Sequence, residues 1–288
     1  MPSIGTTPCQ IHRIAPGQIG SLEDQLVEES PLEIRLEYGP PAQRQRIPIA
    51  VTMRTPGQDE ELALGFLFTE AIIGNISEVQ EVECLPAVNR VTVSLTPQVK
   101  VDTTRLDRHF YTTSSCGVCG KGALEMVESV SCYFPQPGHP QIRVEVLCGL
   151  AEKLRADQSL FELTGGIHGA GLFNAAGELL LLREDVGRHN AVDKLIGACL
   201  QERSLPLRDH LLLLSGRISF ELVQKATMAG IPVIAAVGAP SSLAVELADA
   251  NDITVVGFLR DSRMNVYCGI ERVVHEHFTE GHSPPRAH

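Results

Sequence analysis

Residues 211–259 read LLLLSGRISFELVQKATMAGIPVIAAVGAPSSLAVELADANDITVVGFL, and this stretch decides the fold. Three short apolar runs, Leu211–Leu214, Pro232–Val237 and Thr254–Leu259, show no polar alternation. Strands apolar on both faces are buried on both faces, which is the condition of a sheet covered by helices. Between the runs, Ser219–Ala229 and Ser241–Ala250 have helical spacing and begin with serines suited to capping. The order β-α-β-α-β predicts a buried, mainly parallel sheet. An earlier helix pattern, His189–Gln201, is placed to cover one face.

A parallel arrangement puts the loop after each run on one edge of the sheet, where open α/β sheets bind ligands. Those loops are Ser215-Gly216-Arg217-Ile218-Ser219, Gly238-Ala239-Pro240-Ser241-Ser242 and Arg260-Asp261-Ser262-Arg263. Two of them open helices with Ser and Gly, a setting that favours phosphate, and Arg217, Arg260 and Arg263 bring forked donors. The edge reads as a nucleotide or pyrophosphate site. The bland alternative is a set of ordinary loops with surface arginines.

Upstream, the pattern changes. Leu32, Ile34, Leu36 and Tyr38 alternate with charged residues as in a half-buried strand, and Ile47–Met53 is a second strand. Pro56-Gly57 makes a turn before Asp59, Glu60 and Glu61, acids that favour a helix start; Leu62, Leu64, Phe66 and Leu67 continue that helix. Val79–Cys84 and Arg90–Leu95 pair across a turn near Pro86. The expected fold is α/β, with a smaller N-terminal α+β domain at 20–108, a larger domain at 109–278, and flexible ends at 1–19 and 279–288.

The chain has 288 residues, 43% of them hydrophobic, and a formal net charge of −11. A nucleic-acid partner is disfavoured, because phosphate backbones select basic faces. The N-terminus lacks a basic segment followed by an apolar run, and prolines and glycines interrupt the longest apolar stretches, so neither export nor a membrane helix is expected. The expected location is the cytoplasm. In a reducing compartment, paired cysteines do chemistry or bind metal more often than they form disulfides.

Of the eight cysteines, two form Ser114-Ser115-Cys116-Gly117-Val118-Cys119-Gly120-Lys121, followed by the helical pattern Ala123, Leu124, Val127. A helix start and a nearby Lys both favour the thiolate, the form that attacks sulfur. Such a thiolate can hold a sulfane sulfur as a persulfide, and a second thiol three residues on can release it. The alternative is a zinc half-site, which needs two more ligands. Cys9, Cys84, Cys132, Cys148, Cys199 and Cys268 read as buried apolar fillers. Two further stretches are candidates: Thr164–Gly171 around His168, and Arg183–Asn190, where Arg188, His189 and Asn190 stand at a helix start that favours anions. Their alternatives are a satisfied turn histidine and a capping cluster.

Together, Ser114–Lys121, Glu184–Lys194, Ser215–Glu221, Gly257–Arg263 and Glu61–Glu70 resemble the FdhD family of formate dehydrogenase accessory sulfurtransferases, in order, over roughly residues 25–270. The resemblance implies a homodimer whose larger domain has the three-layer cytidine deaminase-like fold. It implies a sulfur carrier that takes sulfur from a cysteine desulfurase and passes it to Mo-bis(molybdopterin guanine dinucleotide), activating formate dehydrogenase. Cys116 matches the persulfide-carrying residue and Cys119 the second cysteine. Phe258, Leu259, Arg260, Asp261, Ser262 and Arg263 match the segment assigned to cofactor binding, and the guanine nucleotide end of the cofactor is expected on the loops from Ser215 to Arg263. Zinc deaminases carry His-x-Glu ahead of Pro-Cys-x-x-Cys. Here the cysteine pair comes first, no Pro precedes Cys116, and His168 has no Glu two residues on, so no permanent metal is expected. Two other functions stay open: a cofactor-binding chaperone without sulfur transfer, and a zinc hydrolase on the same fold.

Overall fold

The computed structural model describes residues 5–101, 133–260 and 263–275. The chain opens with an antiparallel hairpin of β1 (Thr6–Ala15) and β2 (Gln18–Val27). This replaces the loose order expected before residue 20. Then come β3 (Ser30–Tyr38), β4 (Gln45–Arg54), α1 (Asp59–Thr69), β5 (Val79–Leu85) and β6 (Arg90–Leu95). These strands form a four-stranded sheet in the order β4-β3-β6-β5. Leu32, Ile34 and Leu36 of β3 are fully buried together with Val91, Val93 and Leu95 of β6. Glu33 and Glu37, on the other face of β3, pair with Arg35, Arg90 and Arg44. The period-2 pattern thus sorts one face to the core and the other to water.

A short strand β7 (Ile142–Arg143) precedes α2 (Val144–Asp157), α3 (Ser159–Thr164), β8 (His168–Asn174), β9 (Leu179–Asp185) and α4 (Arg188–Gln201). The chain continues through β10 (His210–Leu214), α5 (Phe220–Ala229), β11 (Val233–Ala236), α6 (Ser242–Ala250), β12 (Thr254–Arg260), β13 (Arg263–Cys268) and β14 (Val273–Val274), which pairs with β7. The six-stranded sheet runs β13-β12-β11-β10-β8-β9. Only β10, β11 and β12 pair in parallel; β8 and β13 are antiparallel to their neighbours, so the sheet is more mixed than expected.

Three layers result. Leu212, Leu214, Ile234, Ala236 and Val255 belong to the core formed with α4, α5 and α6. Leu211, Leu213, Val233, Ala235 and Val256 belong to the core formed with Leu147, Leu150 and Leu154 of α2. Both faces are covered, which is why these strands read as unbroken apolar runs. Burying each such leucine contributes about 1.5–3 kcal/mol. The first of these cores also contains Leu62, Leu67 and Phe68 of α1 and the apolar face of β3 and β6. The two expected domains therefore share one interior. The expected 108/109 boundary and the tail at 279–288 lie outside the described residues.

The junction between the two parts is the crossing of α1 and α4. A Cβ on Gly65 would stand 1.8 Å from the Asp193 carbonyl oxygen, and one on Gly197 would stand 1.8 Å from that of Glu61. The two backbones touch, and only glycine permits it. Alanine at either position forces the helices apart. Gly65→Ala and Gly197→Ala should each lose about 1–3 kcal/mol or more in urea unfolding. Gly149→Ala in α2, where an added Cβ meets nothing within 4 Å, should gain about 0.4–1 kcal/mol.

Candidate functional site

Strand direction gathers the candidate residues. The carboxyl ends of β9, β10, β11 and β12 share one edge of the six-stranded sheet, and the antiparallel strands β8 and β13 begin there. Along that edge lie Arg263 and Arg260, the Gly238–Ser242 loop, the Ser215–Ser219 loop, His168, and the turn from Asp185 into α4. The three loops read from the sequence are on one edge, and two further segments join them.

Backbone hydrogen bonds knit the loops together. The Phe258 N–H donates to Gly238 O (3.0 Å), Gly238 N–H to Gly216 O (2.9 Å), and Ile218 N–H to Ala239 O (3.2 Å). A Cβ on Gly238 would lie 2.7 Å from Gly216 O, so the close approach requires glycine. Ser215 fastens the next strand: its N–H donates to Gly169 O (3.0 Å) and its Oγ accepts from Gly169 N–H (2.8 Å). Phe258 takes a positive φ of 54° with its ring partly exposed, at an irregularity in the β12–β13 pairing. Bulky residues seldom adopt that conformation, and where they do it is held by surrounding contacts.

The Glu184–Lys194 motif divides into scaffold and surface. Asp185 and Lys194 are both fully buried and 2.8 Å apart. Asp185 also accepts from the N–H groups of Thr55 (3.1 Å) and Gly187 (2.8 Å) and from Asn190 Nδ2 (3.0 Å). Lys194 donates to Thr55 O (2.9 Å), and Asn190 Nδ2 to Met53 O (2.7 Å). Asp193 faces Lys225 (2.9 Å) and accepts from the Thr69 hydroxyl (2.8 Å). Glu184 accepts from Leu160 and Phe161 N–H at the start of α3 (3.0 Å each). These residues hold α4 and α1 against β9. For Asn190 the capping-cluster alternative is the correct one, and its donors do not face the edge.

Arg188 and His189 do face it. His189 Nε2 lies 3.2 Å from Ser219 Oγ and 3.8 Å from Glu221 Oε2. Ser219 is the N-cap residue of α5 yet makes no side-chain cap, because its hydroxyl turns to His189. Ser241, at the same place on α6, accepts from Ala244 N–H and is spent on capping. Burial, then the positive charges of Arg188 and Lys225, push His189 down to about 4 against the pull of Glu221 and Glu70. Burial and Arg188 also lower His168, against Asp185. Both imidazoles are thus neutral near pH 7. Glu221 stands beside the same ring nitrogen as Ser219, so the group lacks the carboxylate on the opposite nitrogen that orients a base in a hydrolytic triad.

The remaining expectations fall as follows. Arg260 and Arg263 are exposed and opposite each other across the β12–β13 pair. Like charges so placed repel unless an anion lies between them. The Leu259 side chain is fully buried in the α2 core and gives the edge no contact. Cys116, Cys119, Asp261 and Ser262 lie outside the described residues, as does Cys132. Of the other thiols expected to be buried fillers, only Cys199 is fully buried; Cys84 is exposed, and Cys9, Cys148 and Cys268 are intermediate. The polar strands and turns carrying Cys9 and Cys84 leave them near the surface. Partial desolvation together with the charges of Glu60 and Asp59 raises the surface thiol Cys84; burial raises Cys148, and raises Cys199 and Cys268 to about 11, opposite to what a nucleophile needs. Among the described residues, no three His, Cys, Asp or Glu side chains are arranged to hold a metal ion, and no helix is long and apolar enough to cross a membrane. Gly169 and Glu221 lie within the Thr164–Gly171 and Ser215–Glu221 stretches singled out from the sequence, but no separate role was legible for either: Gly169 supplies a strand-pairing contact to Ser215, and Glu221 a carboxylate beside His189.

Residues 27–274 match the FdhD/NarQ family model. The chain is 50% identical over 274 residues to the sulfur carrier protein FdhD of Streptomyces coelicolor, covering 92% of this chain and 94% of that one. It is 41% identical over 264 residues to the protein of that name from Sulfolobus acidocaldarius, covering 92% and 97%. The fold is similar to the crystal structure of a protein assigned as a formate dehydrogenase accessory protein from Desulfotalea psychrophila, with a TM-score of 0.72, 27% identity, and coverage of 93% of this chain and 99% of that one.

The depressed His189 sets a pH dependence. Between 6.5 and about 4, the unfolded chain binds a proton at this histidine and the folded chain does not. Stability therefore falls as pH drops through that window and stops falling on this account below it. Urea midpoints at about pH 7 and about pH 4.5 should show a smaller acid loss for His189→Gln than for the unaltered chain.

Proposed function

The chain belongs to the FdhD/NarQ family, and from that premise we propose that it is a sulfur carrier that matures formate dehydrogenase. In this reading a cysteine desulfurase supplies the sulfur. The Cys116 thiolate attacks the outer sulfur of the donor's persulfide, the donor's S–S bond breaks, and its cysteine leaves as a thiolate. The Cys119 thiolate then attacks Cys116 Sγ. Hydrosulfide departs to the molybdenum of Mo-bis(molybdopterin guanine dinucleotide), and a Cys116–Cys119 disulfide remains for a thiol reductant to reset. The two electrons that convert sulfane sulfur to sulfide come from the cysteine pair, so the step balances.

The observation that carries this reading is the sheet edge. It bears Arg188, Arg217, Arg260 and Arg263 in a chain of net charge −11, and none of the four pairs with a carboxylate among the described residues. A nucleotide-bearing cargo brings phosphates to such an edge. Holding the cargo there while the carrier loop reaches its metal replaces a slow bimolecular encounter. The raised proton affinities of Cys84, Cys148, Cys199 and Cys268 also favour a carrier elsewhere in the chain, among Cys9, Cys116, Cys119 and Cys132, and of these only Cys116 and Cys119 stand in a Cys-x-x-Cys pair. The proposed setting is cytoplasmic, and the proposed assembly a homodimer.

Incubation with a cysteine desulfurase and cysteine, followed by intact mass measurement, tests the proposal. A gain of about 32 Da, one persulfide sulfur, is expected for the unaltered chain and for Cys119→Ala but not for Cys116→Ala. An adduct that survives Cys116→Ala overturns the assignment. Should Cys116→Ala still mature formate dehydrogenase while Arg263→Ala does not, the chain is a cofactor chaperone instead.

A further inference from the structure

Seven arginines among the described residues are buried or half-buried: Arg35, Arg44, Arg54, Arg90, Arg183, Arg188 and Arg272. Six of them pair with a carboxylate, namely Glu33 (twice), Glu37, Asp59, Glu61 and Asp252. Arg188 pairs with none, and its Nε is buried without a hydrogen-bond acceptor. A half-buried guanidinium without a counter-charge costs stability, and in a chain rich in acids its isolation needs a cause.

The nearby carboxylates are already committed. Both oxygens of Asp185 are held by Lys194, Thr55, Gly187 and Asn190, and those of Glu184 by the start of α3. Glu221 feels the Arg188 charge but sits with Ser219 and His189 rather than on the guanidinium. Two further donor groups stand close by. His168 makes no hydrogen bond with another described residue, and its Nδ1 lies over Gly216, where an added Cβ would be 3.3 Å away. The 14-residue helix α4 begins at Arg188 with Gly187 as N-cap and no side-chain cap, so no capping side chain takes up its first N–H groups. The Ser219 hydroxyl, engaged with His189 and the Glu221 carboxylate, is not among them.

We infer that Arg188, His168 and the uncapped start of α4 form a phosphate subsite, in which the guanidinium fork and the helix N–H groups take the oxygens of one phosphoryl group. The inference rests on the nucleotide-cargo reading above and deepens it. It assigns one phosphate to Arg188, some strands along the sheet from the Arg260–Arg263 pair, so the cargo lies across the edge. His168, neutral and wedged against Gly216, donates one hydrogen bond without adding charge.

Titration calorimetry on the full-length chain tests this with three probes: GDP, inorganic pyrophosphate and guanosine. The expected result is that Arg188→Gln weakens GDP and pyrophosphate by about ten-fold or more, the loss of one forked charge-assisted contact, and leaves guanosine unchanged. Arg188→Lys, which keeps the charge and loses the fork, should fall between. Because Arg188 has no ion-pair partner among the described residues and its burial without one costs stability, Arg188→Gln should not lower the thermal midpoint. GDP bound tightly and equally by the unaltered chain and Arg188→Gln overturns the subsite and leaves the cargo reading standing. Pyrophosphate bound through Arg188 with no gain from the nucleoside upholds the subsite and sinks the nucleotide cargo. Binding of neither phosphate probe to the unaltered chain overturns the subsite.

Discussion

The structure depends on two helix backbones in contact. Where α1 crosses α4, Gly65 and Gly197 remove the side chains that ordinarily hold packed helices 8–10 Å apart. The carbonyls of Asp193 and Glu61 fill the space a methyl group would occupy. That approach brings Thr55 and Met53, at the end of the N-terminal sheet, within reach of Asp185, Asn190 and Lys194. A buried ion pair is stabilising only when its remaining valences are met, and here the N-terminal unit meets them. The crossing therefore makes the Asp185–Lys194 pair tolerable. The pair in turn fixes the start of α4, and with it Arg188 and His189, at the sheet edge.

The charges divide into two populations. Inside, Asp185, Asp193, Lys194, Lys225, Arg54 and Arg272 have partners within about 3 Å, and the Arg54–Asp59, Asp185–Lys194 and Asp193–Lys225 pairs each span two elements. At the carboxyl edge the cations lack such partners among the described residues, and the described acids nearby are turned to other tasks. The same motif supplies both populations: Asp185, Asn190 and Lys194 point inward, while Arg188 and His189, on the first turn, point outward. Asn190 and Lys194, four residues apart, share the helix face turned to Asp185 and to the chain at Met53–Thr55.

Much of this was readable from the sequence. The strands and helices from His210 to Arg260 follow the apolar runs and serine starts within a residue or two, because a doubly covered sheet has a strong local signature. β3 to β6 were readable from alternation. β8 was not, because Gly169 and Gly171 suggest a loop; they sit in a strand where Gln158, Leu154 and Phe173 crowd against it. Helix α2 carried a legible spacing in Leu147, Leu150 and Leu154, absent from the reading although its signal was local. The β1–β2 hairpin carries too little apolar alternation to announce itself. The edge was legible as three loops, but the contributions of His168 and Arg188 arise from strand order, a tertiary property. Nor does local sequence separate the inward charges of Glu184–Lys194 from the outward ones, since that depends on which helix covers the motif.

The glycine crossing has a consequence during synthesis. Thr69 of α1 and Asp193 of α4, which hydrogen-bond beside it, are 124 residues apart. At ribosomal rates of about 5–20 residues per second, α1 emerges roughly ten seconds before its partner. Throughout that interval a helix apolar on nearly every side has a sheet on one flank and nothing on the other. The nascent chain is thus a natural client for holdase chaperones until α4 clears the exit tunnel.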